Sequence, residues 1–259
     1  MKHYVVKMKR EFLFIMFQTG LYGAFLTLDL TGGSIRLSSY IKFSMIILCF
    51  CYVLLQGRSE GRSINFFIQA AMLFTIISDL FLLILDQYYY GVLTFIVVQQ
   101  FYSLRLILLK DRNRGVWDYP KLRIPKLTVT ILRNYLKRLG LQVALAFMIC
   151  LLLSYFKIAL EALIIATVFY FISILTNVIS AIRLAQIYPR EKTNILFAIG
   201  MLLFLLCDIN VGLFNLSGFI SLPEGIYSKI YEAASILMWT FYAPSQVLIA
   251  LSVNRKSAI

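Results

Sequence analysis

Residues 66–85 read FFIQAAMLFTIISDLFLLIL, a mostly apolar run interrupted by one acid, Asp79. At about 1.5 Å per helical residue, such a run crosses the ~30 Å hydrocarbon core of a bilayer, and it reads as a transmembrane helix. A carboxyl group in hydrocarbon is expensive, so an acid in this position marks a functional site by default. Residues 195–214, ILFAIGMLLFLLCDINVGLF, repeat the pattern around Asp208. Each aspartate follows a small residue, Ser78 or Cys207. The other acids (Glu11, Asp29, Glu60, Asp86, Asp111, Asp118, Glu161, Glu191, Glu224 and Glu232) fall in loops or within a turn or two of a segment end.

The rest of the chain is of the same kind. Its 259 residues are 61% hydrophobic and 14% charged, with a mean hydropathy of +0.83, which excludes an ordinary soluble domain. Backbone polar groups must be satisfied within each span, so helices are expected throughout. We place eight spans at about 12–29, 41–56, 66–85, 89–109, 138–156, 160–182, 194–214 and 230–252. The expected fold is all-α, a polytopic helix bundle forming a single integral-membrane domain over residues 1–259. The opening MKHYVVKMKREFLFIMF resembles a signal-peptide start, but no small-residue cleavage site follows and the apolar run continues, so it reads as a retained first span.

A net charge of +13 raises the question of nucleic acid, and its distribution answers it. Eight spans put both termini on one side, which collects Lys2, Lys7, Lys9, Arg10, Arg58, Arg62, Arg183, Arg190, Lys192, Arg255 and Lys256. The same side holds the basic connection 110–137, with Lys110, Arg112, Arg114, Lys121, Arg123, Lys126, Arg133 and Lys137, and Arg138 follows it. The opposite side has only Arg36, Lys42, Lys157 and Lys229. The bias places both termini in the cytoplasm of a multi-pass cell-membrane protein. The basic connection, with Trp117, Tyr119, Pro120 and Pro125, suits an interfacial anchor or docking on anionic head groups.

The cysteines Cys49, Cys51, Cys150 and Cys207 all lie in spans, as buried thiols rather than a disulfide framework. A single histidine, His3, excludes a His-rich zinc site, and no metal or organic cofactor is expected. The outer loops are too short to form a domain, so function is expected within the bilayer or at its faces. Four spans plus four spans, about 1–109 and 138–259, suggest a parallel pseudo-repeat. The aspartates then sit at one depth in the third and seventh spans.

Polar residues on neighbouring spans complete the picture. Gln99, Tyr102 and Arg105 recur at three-residue spacing on the fourth span. Arg105 has two readings, pairing with an aspartate or snorkelling to the head groups. The eighth span gathers Tyr242, Ser245 and Gln246, with Pro244 expected to kink the helix and free a carbonyl. Ser173, Thr176, Asn177 and Ser180 form a stripe on the sixth span suited to helix–helix hydrogen bonds. Lys42 opens the second span, placed to meet a phosphate or cap the interface. Two neighbouring carboxyls divide naturally into one protonated and one ionised group, a basis for acid–base chemistry. A proton-coupled transporter would use the same pair.

The third and fourth spans resemble the YhhN family of integral membrane proteins, whose characterised members are lysoplasmalogenases. Ser78-Asp79 matches the family's small–Asp pair, and Gly91, Phe95 and Tyr102 match its Gly–Phe–His–Tyr pattern, with Gln99 where the family usually has His. Cys207-Asp208 resembles its second small–Asp pair. Tyr242, Gln246, Leu248, Ile249 and Ser252 match its closing motif, and Lys42 stands where the family has a Lys. The resemblance implies cleavage of a lysoplasmalogen vinyl ether to a fatty aldehyde and a glycerophospho-head group. It makes Asp79 and Asp208 the catalytic pair. Gln99, Tyr102, Tyr242 and Gln246 then position water and substrate, and Lys42 meets the phosphate. Losing the His leaves open two other readings, a lipid-binding or sensory module without turnover and a transporter. A retinal protein is disfavoured, since the last span has no lysine for a Schiff base.

Overall fold

A computed structural model describes residues 2–56, 62–113, 129–215, 217 and 223–253. Among these residues eight helices are long and apolar enough to cross a membrane: α1 (Lys2–Leu30), α2 (Ile35–Gln56), α3 (Arg62–Asp79), α4 (Tyr88–Asn113), α5 (Val129–Tyr155), α6 (Ala162–Ile187), α7 (Lys192–Phe214) and α8 (Glu224–Leu251). No strand occurs among the described residues. The chain is a multi-pass membrane-type helix bundle, as its hydropathy indicates. Several helices outrun the expected spans because hydropathy marks only the hydrocarbon crossing. The first turns of α5, with Arg133 and Lys137 exposed, are the clearest case. Trp117, Tyr119, Pro120 and Pro125 of the basic connection lie outside the described residues, as do Arg58, Arg255 and Lys256.

Helix α4 is the most buried and forms the centre, whereas α1 and α5 stand at the periphery. Consecutive helices pack against each other, and three further pairs cross the molecule: α4 meets α6, α2 meets α8, and α1 meets α8. Replacing each helix by the one four places further along turns this set of packed pairs into itself. The sequence carries a matching signature. Asn65, Met72, Ser78 and Asp79 on α3 recur at the same spacing as Asn194, Met201, Cys207 and Asp208 on α7. Steps of seven keep the Asn, Met and Asp on one helix face, and all but the half-buried Asp208 are buried.

Two departures from ideal helix geometry lie close to the aspartates and tyrosines of the core. A π-helical turn, Leu80–Ile84, continues α3 directly after Asp79, closed by Leu85 N–H donating to the Leu80 carbonyl at 3.0 Å. Such turns insert one extra residue and commonly occur at functional sites. Its Leu82 is accommodated by Gly91 of α4, where a Cβ would sit 2.6 Å from Leu82 Cγ. On α8, Pro244 has no N–H to offer the carbonyl four residues back. That carbonyl, on Thr240, accepts from the Tyr22 hydroxyl of α1 at 3.4 Å, so the peripheral helix is tied to the proline site.

A close main-chain approach joins α7 to α8 at Gly200. A Cβ there would lie 3.0 Å from the Ser245 carbonyl oxygen and 3.1 Å from the Ile249 nitrogen, both backbone atoms that cannot swing aside. Gly200→Val is therefore expected to cost about 1–3 kcal/mol through overpacking. Thermal unfolding in detergent checks this, with Gly212→Ala, which meets nothing within 4 Å, expected to show no loss. Equal stability of both variants would sink the close crossing.

Candidate active site

Asp79 ends the regular part of α3, and the preceding Ser78 shows why a small residue is needed there. Ser78 is fully buried, and its Oγ donates to the Phe74 carbonyl at 2.9 Å and meets Thr94 Oγ1 of α4 at 2.8 Å. A larger side chain would push α3 off α4. The Asp79 carboxyl, 2% exposed, accepts a hydrogen bond on Oδ2 from Tyr242 of α8 at 2.7 Å. Asp208 on α7 is held in the same manner, its Oδ2 accepting from Tyr170 of α6 at 2.7 Å. Hydrocarbon offers no water to replace these donors, so each bond satisfies a group that would otherwise be very costly to bury.

The two Asp–Tyr pairs belong to one cluster. Phe95 of α4 lies against both tyrosines, 5.9 Å from the Tyr170 ring and 6.5 Å from the Tyr242 ring. Phe204 stands edge-on to Phe95 and Tyr242, at 5.7 and 5.5 Å. Cys207 lies within electrostatic reach of both Asp79 and Asp208, and Tyr170 within reach of Tyr242. Helices α3, α4, α6, α7 and α8 thus converge on two carboxyls lined by aromatic rings.

The other expected site residues distribute unevenly around this centre. Tyr102 is fully buried, close to Thr75 and within reach of Asp79, and its hydroxyl makes no well-formed hydrogen bond among the described residues. Gln99 is also fully buried. Its Oε1 accepts from Asn177 Nδ2 of α6 at 2.9 Å, and its Nε2 has no well-formed bond but lies beside Tyr170. Gln246, one turn beyond Tyr242, reaches Ser245 Oγ at 3.4 Å and leaves Oε1 unpartnered among the described residues.

Lys42 stands apart, joined to Asp29 of α1 by a 2.7 Å ion pair, and Ser38 donates to the same carboxylate at 2.6 Å. Its ammonium lies 4.5 Å from the Trp239 ring centre and 5.3 Å from that of Phe25, a cation–π seat that stabilises a buried cation. Trp239 in turn stands edge-on to Tyr242 at 5.4 Å, which connects the Lys42 seat to the Asp79 pair.

Arg105 lies in the interior of the bundle, fully buried among the helices. Its Nη2 donates to the Ser252 carbonyl at 3.0 Å, and its guanidinium covers the Phe197 ring at 4.3 Å. Ser252 closes α8, where the last carbonyls carry partial negative charge that favours a cation. The polar stripe of α6 does make helix–helix bonds: Asn177 to Gln99 and Ser103, Ser173 to Gln100, and Thr176 to Gln142. Ser180 instead bonds its own helix at Thr176.

Tyr170, Asp29 and Trp239 escaped the sequence reading. Tyr170 had a signal, since it precedes Ser173 and Asn177 by three and seven residues and so shares their face. Asp29 resembled a loop acid, because its partner is seen only across the α1–α2 turn. Among the described residues, no three or more His, Cys, Asp or Glu side chains group as metal ligands. Two open apolar grooves, about 260 Å³ between α6 and α7 and about 490 Å³ between α5 and α6, lie away from the carboxyls, which line neither.

Fold and site together define a polytopic helix-bundle membrane protein with a pair of tyrosine-bonded aspartates, Asp79 buried and Asp208 half-buried. The model of the YhhN family matches residues 37–253, and the chain belongs to that family. No curated protein matches, and no solved structure does.

The Lys42–Asp29 pair makes a separable prediction. Asp29→Asn leaves a buried ammonium unmatched and is expected to destabilise the protein by about 3 kcal/mol. The double variant Asp29→Asn, Lys42→Met removes the unmatched charge and is expected to recover part of that loss. Thermal unfolding of both variants checks it, and additive losses would contradict the pairing.

Proposed function

We propose that the chain is an intramembrane ether hydrolase that cleaves the vinyl ether of lysoplasmalogens, releasing a fatty aldehyde and a glycerophospho-alcohol. The observation that carries this reading is the pair of Asp–Tyr hydrogen bonds within one buried cluster, Tyr242 to Asp79 and Tyr170 to Asp208. Each bond occupies one carboxyl oxygen and fixes the direction of the other. Membership of the YhhN family supports the substrate class.

The chemistry suits two carboxyls and no other reactive group. Protonation of the vinyl β-carbon breaks the C=C π bond and leaves an oxocarbenium ion. A carboxylate nearby stabilises that cation and takes a proton from the water that attacks it. The resulting hemiacetal collapses to aldehyde and alcohol as its hydroxyl proton passes to the departing oxygen. Tyr102, Gln99 and Gln246 bring to the buried interior polar atoms without a partner among the described residues, a supply of hydrogen bonds for water and the glycerol hydroxyl. A lysophospholipid phosphate reaching Lys42 exchanges for the Asp29 carboxylate that now holds the ammonium. The paired apolar surroundings and α3/α7 correspondence favour a site built at the junction of two four-helix halves, with anionic lipids met by the basic cytoplasmic connection.

A second reading rests on Gln99. The amide there is bound to Asn177 and does not titrate, which suits a lipid-binding module without turnover. Aldehyde release from a lysoplasmalogen by purified protein separates the two. Asp79→Asn and Asp208→Asn are each expected to lower the rate by about 100-fold or more while the protein stays monodisperse. Binding of the lysolipid without aldehyde would establish the second reading, and pH-dependent uptake without product would point to transport.

A further inference from the structure

A line of polar groups runs from α5 to Asp208, hydrogen-bonded at every link but the one between Gln99 and Tyr170, where Gln99 Nε2 lies beside the hydroxyl without a well-formed bond. Arg138 of α5 donates from Nη2 to Asn177 Oδ1 at 2.9 Å and to the Thr176 carbonyl at 2.7 Å. Asn177 donates from Nδ2 to the Gln99 carbonyl at 2.8 Å and to Gln99 Oε1 at 2.9 Å. Gln99 Nε2 lies beside the Tyr170 hydroxyl, which donates to Asp208 Oδ2 at 2.7 Å.

The direction is fixed by chemistry rather than by choice of amide rotamer. A main-chain carbonyl only accepts and a guanidinium only donates, so Asn177 must turn Nδ2 to Gln99 and Oδ1 to Arg138. Ser103 Oγ, donating to Asn177 Oδ1 at 2.7 Å, agrees with that orientation. Facing Nδ2, the Gln99 side chain must present Oε1, which leaves Nε2 as a fully buried donor with no other partner among the described residues, directed at the Tyr170 side. Dipoles aligned in series polarise one another, and this series starts at a fixed positive charge and ends on a carboxyl.

Asp79 has no such line among the described residues. Tyr242 is its hydrogen-bond donor, and the groups within its reach at Cys49, Cys207 and Tyr102 are thiols and a phenol rather than cations. Arg105 of α4 donates to the Ser252 carbonyl and covers the Phe197 ring. Tyr102, within reach of both Arg105 and Asp79, lies beside Thr75, whose hydroxyl donates to the Ala71 carbonyl of its own helix at 2.9 Å. Lys42 is matched by Asp29.

We infer that Arg138, Asn177 and Gln99 are positioning residues that hold Asp208 as the charged member of the pair and leave Asp79 as the proton donor. This assignment of roles rests on the two-aspartate hydrolase reading. In the reaction, Asp79 delivers its proton to the vinyl carbon. The Asp208 carboxylate faces the cation and accepts the proton of the attacking water. Passage of that proton back to Asp79, past Cys207, restores the starting state. Gln99 serves here as a fixed donor, a role that a non-titrating amide fills without a change of charge.

Infrared spectroscopy reads the assignment directly, through the C=O stretch of a protonated carboxyl in protein reconstituted at neutral pH. The expected wild-type spectrum contains a protonated-aspartate band that Asp79→Asn removes and Asp208→Asn retains. Arg138→Gln and Gln99→Met are expected to add a second such band, removed by Asp208→Asn, whereas Arg138→Lys keeps the wild-type spectrum. A purely structural role for Arg138 would leave the bands of folded variants unchanged. A band lost in Asp208→Asn, bands from both aspartates in wild type, or none at all would overturn the proposal. The two single Asn variants decide it even if the Arg138 and Gln99 variants fail to fold. Aldehyde release is measured separately, so absence of turnover with the expected spectrum rejects the hydrolase reading and leaves the charge assignment standing.

Discussion

A carboxyl group in hydrocarbon must take its hydrogen bond from another part of the protein, and this requirement organises the bundle. Asp79 draws α8 to α3 through Tyr242, and Asp208 draws α6 to α7 through Tyr170. Phe95 of α4 then fills the space between the two tyrosines. Hydrophobic packing alone distinguishes poorly between helix partners in a bilayer, because lipid tails are as apolar as leucine. The polar contacts select which faces meet, and small residues such as Ser78, Gly91 and Gly200 let them meet closely.

The same logic extends to the cations. Lys42 is buried against Asp29 and Trp239, Arg105 against the end of α8, and Arg138 against the α6 stripe. Each of these basic side chains within the bundle is thereby given a specific acceptor, and each links separate helices. These charges are not spare surface residues. The two aspartates have unlike surroundings, although α3 and α7 are so similar in pattern. The difference lies in which neighbour supplies the tyrosine, α8 for Asp79 and α6 for Asp208, and in the bonded group of Arg138, Asn177 and Gln99 that stands near Tyr170.

Much of this was written in the sequence. Long apolar runs fixed the all-helical, multi-pass architecture, because only a helix satisfies its own backbone in lipid. The cost of an intramembrane acid singled out Asp79 and Asp208, and the small residues before them followed from the need for close helix approach. Helical spacing marked the stripe of α6, and Pro244 announced a freed carbonyl. Partnership across the bundle was decided by tertiary structure alone. Tyr170 as the donor to Asp208, Asp29 as the mate of Lys42, and Ser252 as the acceptor for Arg105 join residues 38, 13 and 147 positions apart. A local pattern shows which face of a helix is polar, whereas the partner that face meets depends on how all eight helices pack together.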